Sequence, residues 1–196
     1  MRINWKLLKP FSIYFRNIQG LDNIPDGPCL ITSNHLSSLD TIMLILAFRR
    51  PITYIAQSRL LNDWLHRLID FHIGQAIPDN HHTISQAVER LRQGYSVGIF
   101  PEGDIHPNHR TDRIHTGAYV ISQQAQVPII PVHITGSDAI WPVTFWPLRP
   151  WKTKNVDMII GTPISPLLSD QHYPREFYQQ RANELLQHIK QLSRAS

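Results

Sequence analysis

The segment Cys29-Leu30-Ile31-Thr32-Ser33-Asn34-His35-Leu36-Ser37-Ser38-Leu39-Asp40 decides the fold. It follows the turn Pro25-Asp26-Gly27-Pro28 and opens with a short apolar run. It then passes through polar residues into a longer apolar block that ends at Phe48. Turn residues followed by a brief apolar run predict a strand over Cys29–Thr32, and the longer block predicts a helix over Ser38–Phe48. The alternation continues downstream. Strands are predicted at Ile52–Ala56, His72–Ile77, Tyr95–Phe100, Val127–Ile134 and Val156–Ile160. Helices are predicted at Leu60–Asp70, Thr83–Gln93, Thr116–Gln126 and Pro174–Leu192. In the second of these, Ile84, Ala87, Val88 and Leu91 form an apolar stripe and Gly94 supplies the stop. Strands alternating with helices imply an α/β fold, a single domain whose mostly parallel or mixed central sheet is flanked by helices.

Composition agrees. A chain of 196 residues suffices for one core and is short for two. Apolar residues at 42% and charged residues at 17% exclude global disorder. Lys plus Arg exceed Asp plus Glu by 19 to 15, a net charge of +4 that suits an anionic partner without choosing one. The single cysteine, Cys29, rules out an internal disulfide and a four-cysteine zinc site, and fits a reducing compartment. Its apolar neighbours point to a buried thiol. The amino terminus lacks the pattern of a signal peptide, and the block ending at Phe48 is too short to span a bilayer.

Two segments carry chemistry. His35 follows a strand, and Asp40 lies in the first turn of the next helix, so the carboxylate can face the imidazole across that turn. Asp40 would then fix the tautomer, and the other ring nitrogen would take a proton from a hydroxyl. Ser37-x-x-Asp40 is equally a capping pattern, with a carboxylate favoured at the helix start. The second segment is Phe100-Pro101-Glu102-Gly103, where a strand exits into a turn that can aim Glu102 into a site or merely expose it.

Together these segments resemble the glycerophospholipid (lysophosphatidic acid) acyltransferase family. Asn34, His35 and Asp40 match its Asn-His-x-x-x-x-Asp motif. Phe100 to Gly103 match its Phe-Pro-Glu-Gly motif, and Pro128-Ile129-Ile130-Pro131-Val132 resembles a later apolar block. Tyr54-Ile55-Ala56-Gln57 and His115-Thr116-Gly117-Ala118 are weaker matches. The resemblance spans about residues 20–165. It implies that His35 is the general base, that Asp40 orients it, and that Asn34, Phe100, Pro101, Glu102 and Gly103 contribute to substrate binding. It also implies an acyl-CoA or acyl carrier protein thioester as co-substrate, a hydroxyl-bearing lipid acceptor, and no bound cofactor or metal. The family's phosphate-binding arginines are replaced: Asn80 stands at one position, and Asp104-Ile105-His106 follow Gly103. Arg110 and Arg113 lie nearby and can supply charge from another direction. An acceptor without a phosphomonoester, such as an aminolipid, glycolipid or other metabolite, is the alternative for the same chemistry.

Residues 1–19 combine aromatic and aliphatic side chains with Arg2, Lys6, Lys9 and Arg16, the composition of an interfacial segment preceding an acyltransferase domain over 20–196. The stretch from Trp141 to Lys152 holds Trp141, Trp146 and Trp151 beside basic residues, as at headgroup depth. Packing of either segment on the core is the competing explanation. With the resemblance, these features place the protein peripherally on the cytoplasmic face of the cell membrane. Two rival classes compete with this reading. His106, His109 and His115, with Asp104 and Asp112, could form a zinc site, but a polar loop in a chain with 11 histidines makes such clustering common. A non-catalytic lipid- or CoA-binding protein would not need His35, Asp40 and Glu102 intact. Nucleic-acid binding lacks any motif.

Overall fold

A computed structural model describes residues 5–56, 76–103, 114–141 and 149–193. These form a seven-stranded sheet: β1 (Phe15–Gln19), β2 (Leu30–Ser33), β3 (Ile52–Ala56), β4 (Ile77–Pro78), β5 (Ser96–Ile99), β6 (Ile129–Thr135) and β7 (Val156–Ile160). The helices are α1 (Trp5–Leu8), α2 (Leu39–Phe48), α3 (Thr83–Arg92), α4 (Gly117–Ala125), α5 (Ser137–Ile140) and α6 (Arg175–Leu192). The predicted helix over Leu60–Asp70 and most of the predicted strand over His72–Ile77 lie outside the described residues.

Strand order is β1-β7-β6-β2-β5-β3-β4. β6, β2, β5, β3 and β4 run parallel, whereas β7 pairs antiparallel with β6 and parallel with β1. The mixed sheet is therefore parallel at its centre. Strand β2 is buried at every residue and β6 over its first four, as expected of central strands covered on both faces. Alternate residues feed two cores. Ile31, Ile130, Val132 and Ile134 join α2 and the N-terminal Leu8 and Tyr14 on one face. Leu30, Val97, Ile99 and Ile129 join α3, α4 and α6 on the other. Helix α2 is buried over most of its circumference because the sheet covers one side and the N-terminal segment another.

Residues 15–19, within the segment expected to be interfacial, form the edge strand β1. A bulge between Phe15 and Asn17 breaks the period-two pattern. Phe15 and Ile18 thus both reach the core despite odd spacing.

The topology positions a site. From β2 the chain crosses through α2 to β3, leaving a gap that β5 later fills. From β5 it crosses through α4 to β6, on the other side of β2. The two crossovers lie on opposite faces, so a crevice opens at the carboxyl ends of β2 and β5, where ligands gather in such sheets.

Candidate active site

β2 ends at Ser33, and the next residue is locked to β6. The Asn34 Nδ2 donates to the Ile134 carbonyl at 2.8 Å, and the Ile134 N–H donates to Asn34 Oδ1 at 2.8 Å. The chain then turns sharply, and one oxygen organises the turn. Asp40 Oδ2 accepts the backbone N–H of Leu36 at 2.7 Å and of Ser37 at 2.9 Å, and lies 3.0 Å from His35 Nδ1. The two sequence explanations for Asp40, cap and partner of an imidazole, are thus one arrangement. Asp40 is wholly buried, and its position in the first turn of α2 adds the favourable macrodipole. Ser37 Oγ accepts the Leu39 N–H at 3.1 Å and donates to the Trp141 carbonyl at 2.7 Å, tying the loop to the segment after β6.

A buried carboxylate against Nδ1 favours the tautomer that carries hydrogen there and leaves Nε2 as the acceptor. His35 Nε2 has no hydrogen-bond partner among the described residues, and 14% of the side chain is exposed. This geometry can remove a proton from a hydroxyl brought to Nε2, with the buried negative charge of Asp40 stabilising the imidazolium that forms.

The turn after β5 sits against this pair. The Phe100 ring stacks on the imidazole with centroids 3.8 Å apart and planes 8° from parallel. The Gly103 N–H closes the turn onto the Phe100 carbonyl at 2.9 Å, and the His115 N–H donates to the Pro101 carbonyl at 3.1 Å. Gly103 has φ of 77°, and a Cβ there would lie 2.8 Å from His115 Nε2. Pro101 is buried and Glu102 half-buried. The structure thus brings Asn34, His35, Asp40 and the 100–103 turn to one crevice. Arg110 and Arg113 lie outside the described residues, as do Asp104, His106, His109 and Asp112 of the rival zinc cluster.

Asn80 stands where the resemblance expects arginine. Its Oδ1 accepts the His82 N–H at 2.8 Å, and its backbone N–H donates to Thr83 Oγ1 at 2.7 Å, an arrangement that starts α3. Two residues near the pair were not among the site residues expected from the sequence, although Tyr54 lies in one of the weaker family matches. Tyr54, in β3, donates its hydroxyl to the Thr41 carbonyl at 3.0 Å, and its ring lies parallel to Phe100. Gly98, in β5, leaves room for that ring: a Cβ there would sit 2.4 Å from Tyr54 Cε1. Burial, and then the charge of Asp40, push the Tyr54 phenol well above its usual range, so it stays a neutral donor.

Fold and site together define an α/β protein with a carboxylate-oriented imidazole at the switch point of its sheet. Within that class, the chain belongs to the acyltransferase family, whose pattern matches residues 15–135. It is similar to a probable 1-acyl-sn-glycerol-3-phosphate acyltransferase of Mycoplasma pneumoniae, with 32% identity over 126 residues, covering 59% of this chain and 47% of that protein. It is also similar to the 1-acyl-sn-glycerol-3-phosphate acyltransferase of Pseudomonas aeruginosa, with 29% identity over 152 residues, covering 74% of this chain and 57% of that protein. The chain spans about half the length of the curated relatives it matches. The crystal structure of the 1-acyl-sn-glycerophosphate (LPA) acyltransferase PlsC from Thermotoga maritima shares the fold, with a TM-score of 0.68 at 22% identity over 98% of this chain and 84% of that one.

Proposed function

We propose that this protein transfers a fatty acyl group from a thioester, acyl-CoA or acyl carrier protein, to the free hydroxyl of a lysophospholipid of the 1-acylglycerol-3-phosphate type. The observation that carries this reading is His35, oriented through Nδ1 by buried Asp40 and open at Nε2. The acceptor hydroxyl gives its proton to Nε2 as its oxygen bonds to the thioester carbonyl carbon. The carbon–sulfur bond then breaks, and the proton passes from the imidazolium to the departing thiolate. The activities for which these relatives are named support the acceptor class. The committed carboxamide of Asn80 favours the second reading, the same chemistry on a hydroxyl acceptor without phosphate.

A panel of acceptors with and without a phosphomonoester, each assayed with acyl-CoA and acyl carrier protein, separates the two. Preference for 1-acylglycerol-3-phosphate supports the first reading. Turnover confined to phosphate-free acceptors supports the second. Full acyl transfer by His35→Ala would overturn both.

The protein is proposed to act peripherally on the cytoplasmic face of the cell membrane, with residues of its amino-terminal segment at the lipid surface. Among the described residues no helix is long and apolar enough to cross a membrane. Because β7 is antiparallel to β6, the amino ends of β1 and β7 lie at the same sheet end as His35. There Lys154 and Asn155 donate backbone N–H groups to the carbonyls of Ile13 and Tyr14, bringing the amino-terminal segment and the residues beside Lys152 onto one surface. Trp5, Ile13 and Trp151 are 41%, 53% and 70% exposed on it. No Asp or Glu occurs before Asp22 or between Asp138 and Asp157, so the flanking lysines suit anionic headgroups.

A further inference from the structure

His35 is held along one edge by Asp40, but a hydrogen bond through Nδ1 leaves the ring free to rotate about that contact. Its face is held separately. Phe100 covers it in a near-parallel stack at 3.8 Å, and Tyr54 lies parallel to Phe100 with centroids 5.9 Å apart. The outer ring is itself held. Tyr54 is 9% exposed, its hydroxyl is tied to the Thr41 carbonyl, and its ring lies over side-chain-free Gly98. Thr41 adjoins Asp40 on α2, so the edge clamp and the face clamp are anchored at one helix start. We infer that Phe100, braced by Tyr54, is a positioning residue for His35 whose ring also stabilises the imidazolium formed when the base takes up the acceptor's proton.

Offset or parallel contact between a π face and a cationic ring is attractive because the face carries the negative part of the ring quadrupole. The neutral imidazole gains less from that contact. The stack therefore stabilises the charge that develops on the ring during the reaction and restricts the ring to the plane in which Nε2 meets substrate. Among the described residues, Asp40 from α2 and Tyr54 from β3 are ionisable groups of this cluster, and His115 packs against the turn that carries Phe100. Tyr54 does not ionise in the working range, since burial raises its phenol well above the usual value. This assignment rests on His35 being the base. It gives the aromatic residue of the turn a role toward the base, where the resemblance had implied contact with substrate.

The test uses the full chain and a readout that does not need turnover. In proton NMR spectra, the carbon-bound imidazole protons of His35 should show an upfield ring-current shift, assigned by its loss in His35→Gln. Phe100→Leu should abolish that shift, whereas Phe100→Tyr should keep it near the wild-type value. With a long-chain acyl-CoA and 1-acylglycerol-3-phosphate, Phe100→Leu should lower kcat about 3- to 30-fold with little change in KM, and Phe100→Tyr should restore most of that loss. Tyr54→Leu should reproduce a smaller part of each change from the far end of the stack. An unshifted His35 signal, or equal losses in Phe100→Leu and Phe100→Tyr, would overturn the inference. Retained turnover in His35→Gln would instead remove the base assignment itself.

Discussion

The side-chain amide of Asn34 pairs with the backbone of Ile134 through two hydrogen bonds of 2.8 Å each, adding a rung to the β2–β6 ladder beyond its last backbone pair, Ser33 with Val132. The amide imitates a peptide group and fixes where β2 ends, two residues before His35. Asn34→Ala would leave the buried N–H and carbonyl of Ile134 without partners. The expected loss is about 1–3 kcal/mol for each group left unsatisfied, read as a lower urea midpoint with unchanged slope. Acyl transfer should fall as well, because the loop carrying His35 loses its fixed origin.

Asp40 combines structural and chemical roles that two substitutions separate. Asp40→Ala removes the acceptor for the Leu36 and Ser37 N–H groups and should cost about 1–3 kcal/mol of stability. Asp40→Asn keeps an oxygen for those donors while deleting the charge that stabilises an imidazolium. It should remain close to wild type in thermal melting yet lose about 100- to 10,000-fold in kcat. An active Asp40→Asn enzyme would show that the carboxylate acts only as a cap.

What was legible in the sequence was local. His35 and Asp40 are five residues apart on one turn, and the alternation of runs gave α/β layers with most strands displaced by only a residue or two. What was not legible joins distant residues. Asn34 with Ile134, Tyr54 with Phe100, and the insertion of β5 between β2 and β3 leave no mark in a local pattern. Strand β1 was hidden for a different reason. Its edge position leaves Arg16, Asn17 and Gln19 exposed, and its bulge spoils the alternation that identifies a half-buried strand.

Gly98 faces the Tyr54 ring across the β3–β5 pair, in register with Tyr54 itself. A methyl group there cannot coexist with the ring, because 2.4 Å is well inside carbon–carbon contact distance. Gly98→Ala should therefore displace Tyr54 and destabilise the fold by about 1–3 kcal/mol, the usual range for overpacking a core. The double variant Gly98→Ala with Tyr54→Leu should recover much of that loss. Additive losses would show that Tyr54 is not the obstacle.

The proposed lipid surface makes a prediction that distinguishes its apolar and charged parts. Trp151→Ala should weaken binding to both neutral and anionic vesicles in sedimentation assays. Lys152→Glu with Lys154→Glu should weaken binding to anionic vesicles alone, by more than about 5-fold for each charge removed. High salt should abolish the second effect and leave the first. Equal binding by all variants would remove this end of the sheet as the membrane surface.

His133 lies on the opposite face of β6 from the site, where it bonds to the backbone of Ile189 in α6 while its Nδ1 is buried without a hydrogen-bond partner. Burial lowers its folded-state pKa below the usual histidine value, outweighing the hydrogen bond to Ile189. The unfolded chain therefore binds the proton more readily than the folded one. Stability conferred by the neutral ring is complete above the unfolded value of about 6.5 and is lost as pH falls through the lower folded value. Melting temperatures measured from pH 8 downward should fall more steeply below about pH 6.5 in wild type than in His133→Gln, which keeps a hydrogen-bonding side chain but cannot take up a proton. Parallel curves would mean that the ring is protonated as readily in the folded protein as in the unfolded chain, and that α6 yields to admit the charge.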